Sequence, residues 1–152
     1  MNVKADPVPA AWPLLLRARA EMVDAIERTL AGHRLPPLAW YDVLWALEQA
    51  PGRTLRMGML AEALVVSRSH LSHLVARLEA AKLVARRKSA DDRRGAVALL
   101  TDRGAALRLS MWPVYREAVA AEFARHLRPA DARGLAASLR RLLVSRRRAK
   151  VC

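Results

Sequence analysis

The sequence predicts a mainly α-helical fold with one small β-hairpin. Through most of the chain, apolar residues recur at spacings of three and four, which is the period of a helix. Around residues 88–95 the pattern changes to two short apolar runs on either side of a charged loop, which indicates two strands. Because there is no internal repeat and no sign of a second domain, we expect the 152 residues to form a single domain, residues 1–152.

The first half of the chain predicts a loose arm and three helices. Residues 1–13 carry three prolines and are expected to form the arm. Gly32 ends the first helix, the connector Leu35-Pro36-Pro37 precedes the second, and Pro51-Gly52 ends the second. The predicted helices cover about residues 14–31, 38–50 and 56–64.

The next part predicts a helix followed by the hairpin. Ser67 suits the N-cap of a helix that runs to about Ala81, because a serine oxygen accepts a hydrogen bond from a free amide of the first turn. Two strands follow, residues 83–87 and 96–100, joined by the polar loop 88–95.

Two helices are predicted after the hairpin. Thr101-Asp102 caps a long fifth helix that reaches about Arg128, and Pro113 is expected to bend it. A last helix begins near Pro129, a favoured first-turn residue, and the basic tail 146–150 is expected to fray.

The charge of the chain favours a polyanionic partner. Lysine and arginine number 27 against 14 acidic residues, which gives a formal net charge of +13. This balance does not separate DNA from RNA or an anionic lipid surface. No apolar run approaches the roughly 18 residues that span a membrane, and the proline-rich start does not favour a signal peptide. The lone Cys152 excludes an intrachain disulfide and fits a reducing cytoplasm.

The helix that starts at Ser67 has two different faces. Its apolar face could pack on a core and consists of Leu71, Leu74, Val75 and Leu78. Its opposite face carries Ser69, His73 and Ala76, with Ser72 and Arg77 beside them. Small residues allow close approach to a major groove, and the polar ones can donate to base edges or phosphates. An ordinary amphipathic helix with a solvated face is the alternative, but the short helix before it and the hairpin after it favour DNA.

The loop between the two strands also permits two interpretations. A charged hairpin tip is by default solvated. Beside a DNA-reading helix, however, an arginine at the tip can reach the narrow, strongly negative minor groove. Arg93 and Arg94 are the candidates, and Asp92 could orient the Arg94 guanidinium by a bidentate pair.

Residues 60–104 resemble the winged helix of the MarR family of bacterial transcription regulators. The matching segments are LAEAL, SRSHLSHLVARLEAAKLV and DDRRGAVALLTDRG, with WYDVLWAL upstream. The motif of Leu100, Thr101 and Gly104 after the hairpin is the most specific part. The resemblance implies a winged helix-turn-helix over about 38–101, flanked by dimerisation helices at about 14–31 and 102–146.

The resemblance further implies a homodimer on double-stranded DNA. Each recognition helix would enter one of two successive major grooves of a pseudo-palindromic operator. The candidate DNA-binding residues are Ser67, Arg68, Ser69, Ser72, His73, Arg77, Arg93 and Arg94, with Asp92 as the residue that orients the wing arginine. The family often has arginine at the position of His73, and this departure leaves the base preference and affinity at that position open.

Other kinds of site are weaker interpretations. His70 and His73 lie three residues apart, but they diverge by about 60° around a helix and no acidic or cysteine ligand accompanies them. No glycine-flanked nucleophile or phosphate loop occurs, so we expect no enzyme, no metal and no cofactor. Cysteine-based oxidant sensing is not expected, since no cysteine lies near the first helix.

A small-molecule site is a further expectation. Family ligands often bind between the dimerisation helices and the winged domain, and six aromatic residues and one methionine gather on the segments that should line that crevice. They are Trp12, Trp40, Tyr41, Trp45, Met111, Trp112 and Tyr115, and Arg17 is positioned to meet an acid group. Tryptophans at helical spacing are usually core residues, which is the alternative. The natural ligand would be an aromatic acid or a phenol.

The sequence therefore predicts a homodimeric, sequence-specific transcription regulator, with repression relieved by a small aromatic or phenolic ligand. The rival is a non-specific basic protein, either architectural or RNA-binding, without ligand control. The net charge is the main support for that rival, because any polyanion binder shares it.

Overall fold

The computed structural model of the chain describes residues 7–88 and 95–149, with side chains described for residues 9–88 and 95–144. The described residues form α-helices and short strands, as the sequence predicts. The helices are α1 (Pro7–Gly32), α2 (Leu38–Gln49), α3 (Met57–Leu64), α4 (Arg68–Ala80), α5 (Asp102–Glu122) and α6 (Pro129–Ala149). The strands are β1 (Thr54–Arg56), β2 (Val84–Lys88) and β3 (Ala96–Leu100), and short 3₁₀ turns occupy Pro51–Arg53 and Ala124–His126.

Helix α1 begins earlier than predicted. The expected loose arm over residues 1–13 is wrong from Pro7 onward, where the helix starts. Pro7 and Pro9 fall in the first turn, where an amide has no acceptor within the helix, so their missing N–H groups cost nothing there. Pro13 lies inside the helix, where it removes one hydrogen bond.

The sheet formed by the described residues has three strands, one more than predicted. β3 lies in the centre and pairs antiparallel with both neighbours. Leu55 of β1 and Arg86 of β2 both lie opposite Ala98, whose side chain is fully buried. No local pattern indicates β1, because a strand of three residues shows no measurable alternation and its partner lies more than forty residues away.

In the described residues, a hydrophobic core joins the sheet to helices α2, α3 and α4. Its centre is made of leucines and valines of α2, α3 and α4, together with the inward residues of β2 and β3. The fully buried members include Val43, Leu44, Leu47, Leu60, Val75 and Leu78. The predicted apolar face of α4 is confirmed, because Leu71, Leu74, Val75 and Leu78 are all buried.

The last two helices differ from prediction at their ends. Helix α5 stops at Glu122 rather than near Arg128, and a 3₁₀ turn follows it. It continues through Pro113 without a break, and the bend expected at that residue stays a prediction. Helix α6 begins at Pro129, as expected, but the predicted fraying is wrong for residues 146–149, which continue the helix.

The chain divides into two units. Ile26–Arg116 contains the hydrophobic core, the sheet and helices α2 to α4. The other unit contains the described residues on either side, 7–25 and 117–149. Among the side chains described in that second unit, Ala118 alone is buried. Large apolar side chains are exposed there instead, namely Trp12, Leu14, Leu15, Leu16, Leu142, Leu143 and Val144.

Candidate nucleic-acid interface

A tight turn joins α3 to α4 and sets the geometry of the candidate interface. Helix α3 ends with Val65 in the left-handed conformation, at φ 56° and ψ 43°. The amide of Val66 donates to the carbonyl of Ala61 at 3.1 Å, and the amide of Val65 donates to Glu62 at 3.3 Å. These two bonds satisfy carbonyls at the end of α3 and reverse the chain within three residues. The two helices therefore form a helix-turn-helix.

Ser67 caps helix α4, as the sequence predicts. Its Oγ accepts a hydrogen bond from the His70 amide at 3.1 Å and lies 3.2 Å from the Ser69 Oγ. A hydroxyl that already accepts from the backbone has less capacity to read a base. The geometry therefore gives Ser67 a structural role besides the predicted DNA contact.

The outward face of α4 carries small polar residues. Arg68, Ser69, Ser72 and His73 are all exposed, while the leucines on the opposite face are buried. Since the buried face fixes the helix on the core, the exposed face projects into solvent. The structure thus brings four of the predicted residues onto one accessible surface with short side chains.

Arg77 differs from these four residues. Its guanidinium carbon lies 5.9 Å from the centre of the Trp40 ring, a cation–π arrangement. The contact ties α4 to α2 and draws the guanidinium toward the protein. It also assigns Trp40, a predicted ligand residue, to packing beneath Arg77. A sequence does not reveal this pair, because the two residues are 37 positions apart.

Arg86 of β2 was not among the predicted site residues. Its Nη2 donates to the backbone carbonyl oxygen of Ser72 at 3.3 Å, and its amide donates to Glu79 Oε1 at the same distance. Both acceptors belong to α4. The strand is thereby attached to the helix that carries the exposed polar face.

The predicted wing residues lie outside the described part of the chain. Asp92, Arg93 and Arg94 fall between residues 88 and 95, so their roles stay predictions. The strands on either side are in place, with Lys88 opposite Ala96 in the register.

The predicted ligand residues divide between different places. Tyr41, Trp45, Trp112 and Tyr115 form one aromatic cluster. The Tyr41 ring stacks on Trp45 at 6.4 Å and meets Tyr115 at 4.6 Å, while Trp112 and Tyr115 are 6.1 Å apart. Burial raises the pKa of both Tyr41 and Tyr115 above the ordinary tyrosine value, so both phenols are neutral at physiological pH.

Arg108 supplies a cation beside this cluster, and the predicted role of Arg17 stays a prediction. Arg108 is only 8% exposed, and its Cζ lies 5.2 Å from the centre of the Trp45 ring. Its Nη2 forms an ion pair with Glu48 Oε2 at 2.5 Å, and its buried Nε makes no hydrogen bond. Arg17 belongs to the other unit, where its Nε pairs with Glu21 at 2.6 Å.

The remaining predicted ligand residues are Met111 and Trp12. Met111 is fully buried, and Trp12 is exposed in the second unit. The predicted contacts of both residues with a ligand stay predictions. Arg108 was not predicted as a site residue, because its partner Glu48 is 60 positions away. The presence of one arginine within the aromatic segments was a sign that could have indicated it.

Two negative findings apply to the described residues, 7–88 and 95–149. They contain no group of three histidine, cysteine or acidic side chains arranged to hold a metal ion. None of the helices in this part of the chain is long and apolar enough to cross a membrane.

One family model and several solved structures that resemble this chain belong to the same family. Residues 35–95 match the model of the MarR family. AbsC, a MarR family transcriptional regulator from Streptomyces coelicolor, is 31% identical, with a TM-score of 0.83 over 94% of this chain and 96% of its own. Sco3205 from the same organism, solved in complex with DNA, is 32% identical, with a TM-score of 0.82 over 89% of this chain and 84% of its own.

A third similar structure concerns regulation by a ligand. BpsR from Bordetella bronchiseptica, whose DNA binding is regulated by 6-hydroxynicotinic acid, is 26% identical. Its TM-score is 0.76, over 88% of this chain and 98% of its own. Among curated proteins, none matches the chain.

Proposed function

Because this chain belongs to the MarR family of transcription regulators and is not an enzyme, we propose that it acts as a homodimeric repressor on operator DNA. The operator would be pseudo-palindromic, with half-sites about one helical turn apart. Repression would follow from blocking polymerase. We place the protein in the cytoplasm, where a bacterial operator is accessible.

The observation that carries the proposal is the exposed polar face of α4. Arg68, Ser69, Ser72 and His73 project from a helix whose other face is fixed in the core. Short side chains let the helix backbone approach base edges, and hydroxyl and imidazole groups can donate or accept there. The DNA complex of Sco3205, a relative with 32% identity, supports the same use of the fold.

The DNA contacts would be divided among the candidate residues by geometry. Ser69, Ser72 and His73 would read bases, and Arg68 at the start of α4 would approach a phosphate. Arg77 would reach DNA only by leaving the Trp40 ring. Arg93 and Arg94, with Asp92 to orient the latter, would enter the minor groove.

Dimerisation is supported by the exposed apolar residues of the terminal helices. In the second unit, three apolar residues of α1 and three of α6 are about half exposed or more: Trp12, Leu14, Leu16, Leu142, Leu143 and Val144. An exposed group of this kind favours burial against a partner. A second copy is the natural partner, since homodimers are typical of the family. The dimerisation helices would cover about 14–31 and 102–146, with the winged helix between them.

The effector would be a small aromatic acid or phenol that binds beside the aromatic cluster of Tyr41, Trp45, Trp112 and Tyr115. Trp45 and Trp112 keep more than a third of their surface exposed, and Arg108 supplies a cation beside them. The regulation of BpsR by 6-hydroxynicotinic acid supports an aromatic acid as the class. Such a ligand relieves repression only if it binds the two states of the dimer unequally.

The effector proposal is tested by tryptophan fluorescence titrated with aromatic acids and phenols. We expect a saturable change in fluorescence with at least one compound. The change should be smaller in Arg108→Lys, where an ammonium replaces the planar guanidinium. Arg17→Lys is the matched control and should titrate like the wild type. A flat response across the whole panel contradicts ligand control by these compounds.

The regulator proposal is tested by selecting duplexes from a random library and measuring gel shifts with competitor DNA. We expect a selected palindrome to remain bound when unrelated DNA is in excess. If unrelated DNA competes as well as the selected palindrome, and only the salt concentration controls binding, the rival function of a non-specific basic protein is favoured.

A further inference from the structure

The side chain of Arg86 is placed differently from its neighbours on β2. Along the strand, Arg86 is half-buried, whereas Arg87 and Lys88 are exposed. Successive side chains of a strand point to opposite faces, so Arg86 and Arg87 cannot serve the same surface. Arg86 is the one whose side chain reaches α4.

Arg86 holds α4 at two separate points. Its Nη2 donates to the Ser72 carbonyl oxygen at 3.3 Å, while its backbone amide donates to Glu79 Oε1 at 3.3 Å. The Nε also lies 3.7 Å from Glu79 Oε2. Ser72 and Glu79 are seven residues apart, which is about two turns and about 10 Å along one face of a helix. Attachment at two points along a helix fixes the angle of the strand as well as its distance.

This attachment is not a major source of stability. The side chains of Arg86 and Glu79 are 30% and 44% exposed, and a partly exposed ion pair with its nearest atoms 3.7 Å apart adds little to folding. The core beneath, which includes Leu74, Leu78 and Val84, already joins the two elements. The contribution of the pair is therefore to orientation.

Arg86 bonds to one of the proposed DNA-reading parts and precedes the other in the chain. Ser72, whose carbonyl accepts from Arg86, also presents its side chain on the exposed face of α4. The strand that carries Arg86 leads after Lys88 into residues 89–94, which include Arg93 and Arg94. The guanidinium of Arg86 therefore links the recognition helix to the strand that precedes the wing, in addition to the core contacts and the backbone bond.

We propose that Arg86 is a positioning residue for operator recognition, which holds α4 and β2 at the angle at which helix and wing can meet one operator together. The inference rests on the proposed DNA-binding function. Loss of the Arg86 side chain would free α4 and β2 to change their relative angle. Discrimination between operators would then fall more than general affinity for DNA.

The test compares Arg86→Met with Arg87→Met, which removes the same charge from the next residue of the strand. The probes are a palindromic duplex selected by the wild-type protein and a scrambled duplex of equal length. For Arg86→Met we expect affinity for the selected duplex to fall about tenfold or more, as loss of a charge-assisted hydrogen bond predicts. Affinity for the scrambled duplex should fall only about as much as in Arg87→Met, through the lost charge.

Two further measurements separate positioning from folding. Arg86→Lys should also lose discrimination, because an ammonium keeps the charge but has no planar fork to span Ser72 and Glu79. In hydroxyl-radical footprints of Arg86→Met, protection at the flanks, where the wing would bind, should weaken while protection at the centre of each half-site remains. The melting temperature should change by only a few degrees.

If Arg86→Met and Arg87→Met lose affinity to the same extent, for the selected and the scrambled duplex alike, the positioning role is overturned. A large fall in melting temperature that accounts for the lost binding would overturn it as well, since Arg86 would then act on the fold. If the wild-type protein selects no duplex at all, the proposed function itself fails, and this result is distinct from either of the others.

Discussion

Gly104 packs against the backbone carbonyl oxygen of Leu83, and no side-chain atom fits between them. A Cβ placed on Gly104 would overlap that oxygen and would also lie 2.8 Å from Leu100 Cδ1 and 3.1 Å from Leu44 Cδ2. The Thr101 hydroxyl donates to the same carbonyl at 2.9 Å and accepts from the Gly104 amide at 3.0 Å. The motif of Leu100, Thr101 and Gly104 therefore joins the start of α5 to the turn after α4.

Replacement of this glycine tests the junction. Gly104→Ala should lower the free energy of unfolding by about 2 kcal/mol or more, because the new methyl group overlaps a backbone oxygen that cannot rotate away. Chemical denaturation measures the change. Gly58→Ala is the control, since its methyl group would meet only Arg68 Nη2 at 3.9 Å, and it should be neutral or stabilising. Equal effects of the two substitutions would contradict the close packing.

Val65 should be replaceable with a gain in stability. It adopts φ 56°, a conformation that β-branched residues strongly disfavour, and it is 86% exposed, so its side chain buries little apolar surface. Val65→Gly should raise the free energy of unfolding by about 1 kcal/mol. Val65→Ala removes the same apolar group but keeps a Cβ, and it should gain less. If glycine proves no better than alanine in denaturation curves, the turn is not left-handed.

Removal of only one partner from the ion pair of Arg108 and Glu48 should lower the free energy of unfolding strongly. With the side chains only 10% and 17% exposed, Glu48→Ala leaves a buried guanidinium without its carboxylate and should cost about 3 kcal/mol or more. The double variant Arg108→Met with Glu48→Leu should recover much of this loss, because no charge remains buried. Breaking the exposed pair of Arg17 and Glu21 by Glu21→Ala should cost less than about 1 kcal/mol. Similar costs for both pairs would show that Arg108 is solvated.

Asp42 should make stability depend on pH. Burial, and then the nearby Glu27 carboxylate, raise the pKa of Asp42 above its ordinary value. The folded protein then binds the Asp42 proton more tightly than the unfolded chain does. The free energy of unfolding therefore falls as pH rises through the folded-state pKa of Asp42. Asp42→Asn should therefore stabilise the protein at neutral pH, with a gain that disappears below the ordinary aspartate range.

Denaturation at a series of pH values measures this difference. Glu62→Gln, at an exposed position of α3, controls for the removal of one negative charge. A gain from Asp42→Asn that is the same at pH 3 and pH 7 would show that packing, rather than the charge, is responsible.

Local signals in the sequence were enough for most of the fold. The cap at Ser67 depends on residues within three positions, and the apolar face of α4 depends on one helical period, so both were predictable. The start of α1 was not, because three prolines suggested an arm although two of them fit a first turn. Strand β1 depends on pairing with the distant β3, which no local pattern of three residues indicates.

The candidate site was predictable only in part, for a related reason. The exposed residues of α4 follow from its periodicity, and the structure places them as expected. The arginines were harder to assign, because long side chains choose partners from anywhere in the fold. Arg77 stacks on Trp40, Arg86 bonds to Ser72, and Arg108 joins the aromatic cluster.

The spacing of the two half-sites is the most direct measure of whether the chain reads an operator as a dimer. Base pairs are inserted between the half-sites of a selected palindrome, and affinity is measured by gel shift with excess unrelated DNA. Insertion of about five base pairs rotates one half-site by half a turn, so a dimer with fixed recognition helices should lose at least about tenfold in affinity. Unchanged affinity after that insertion would contradict the account, because the two half-sites would then be read independently or not at all.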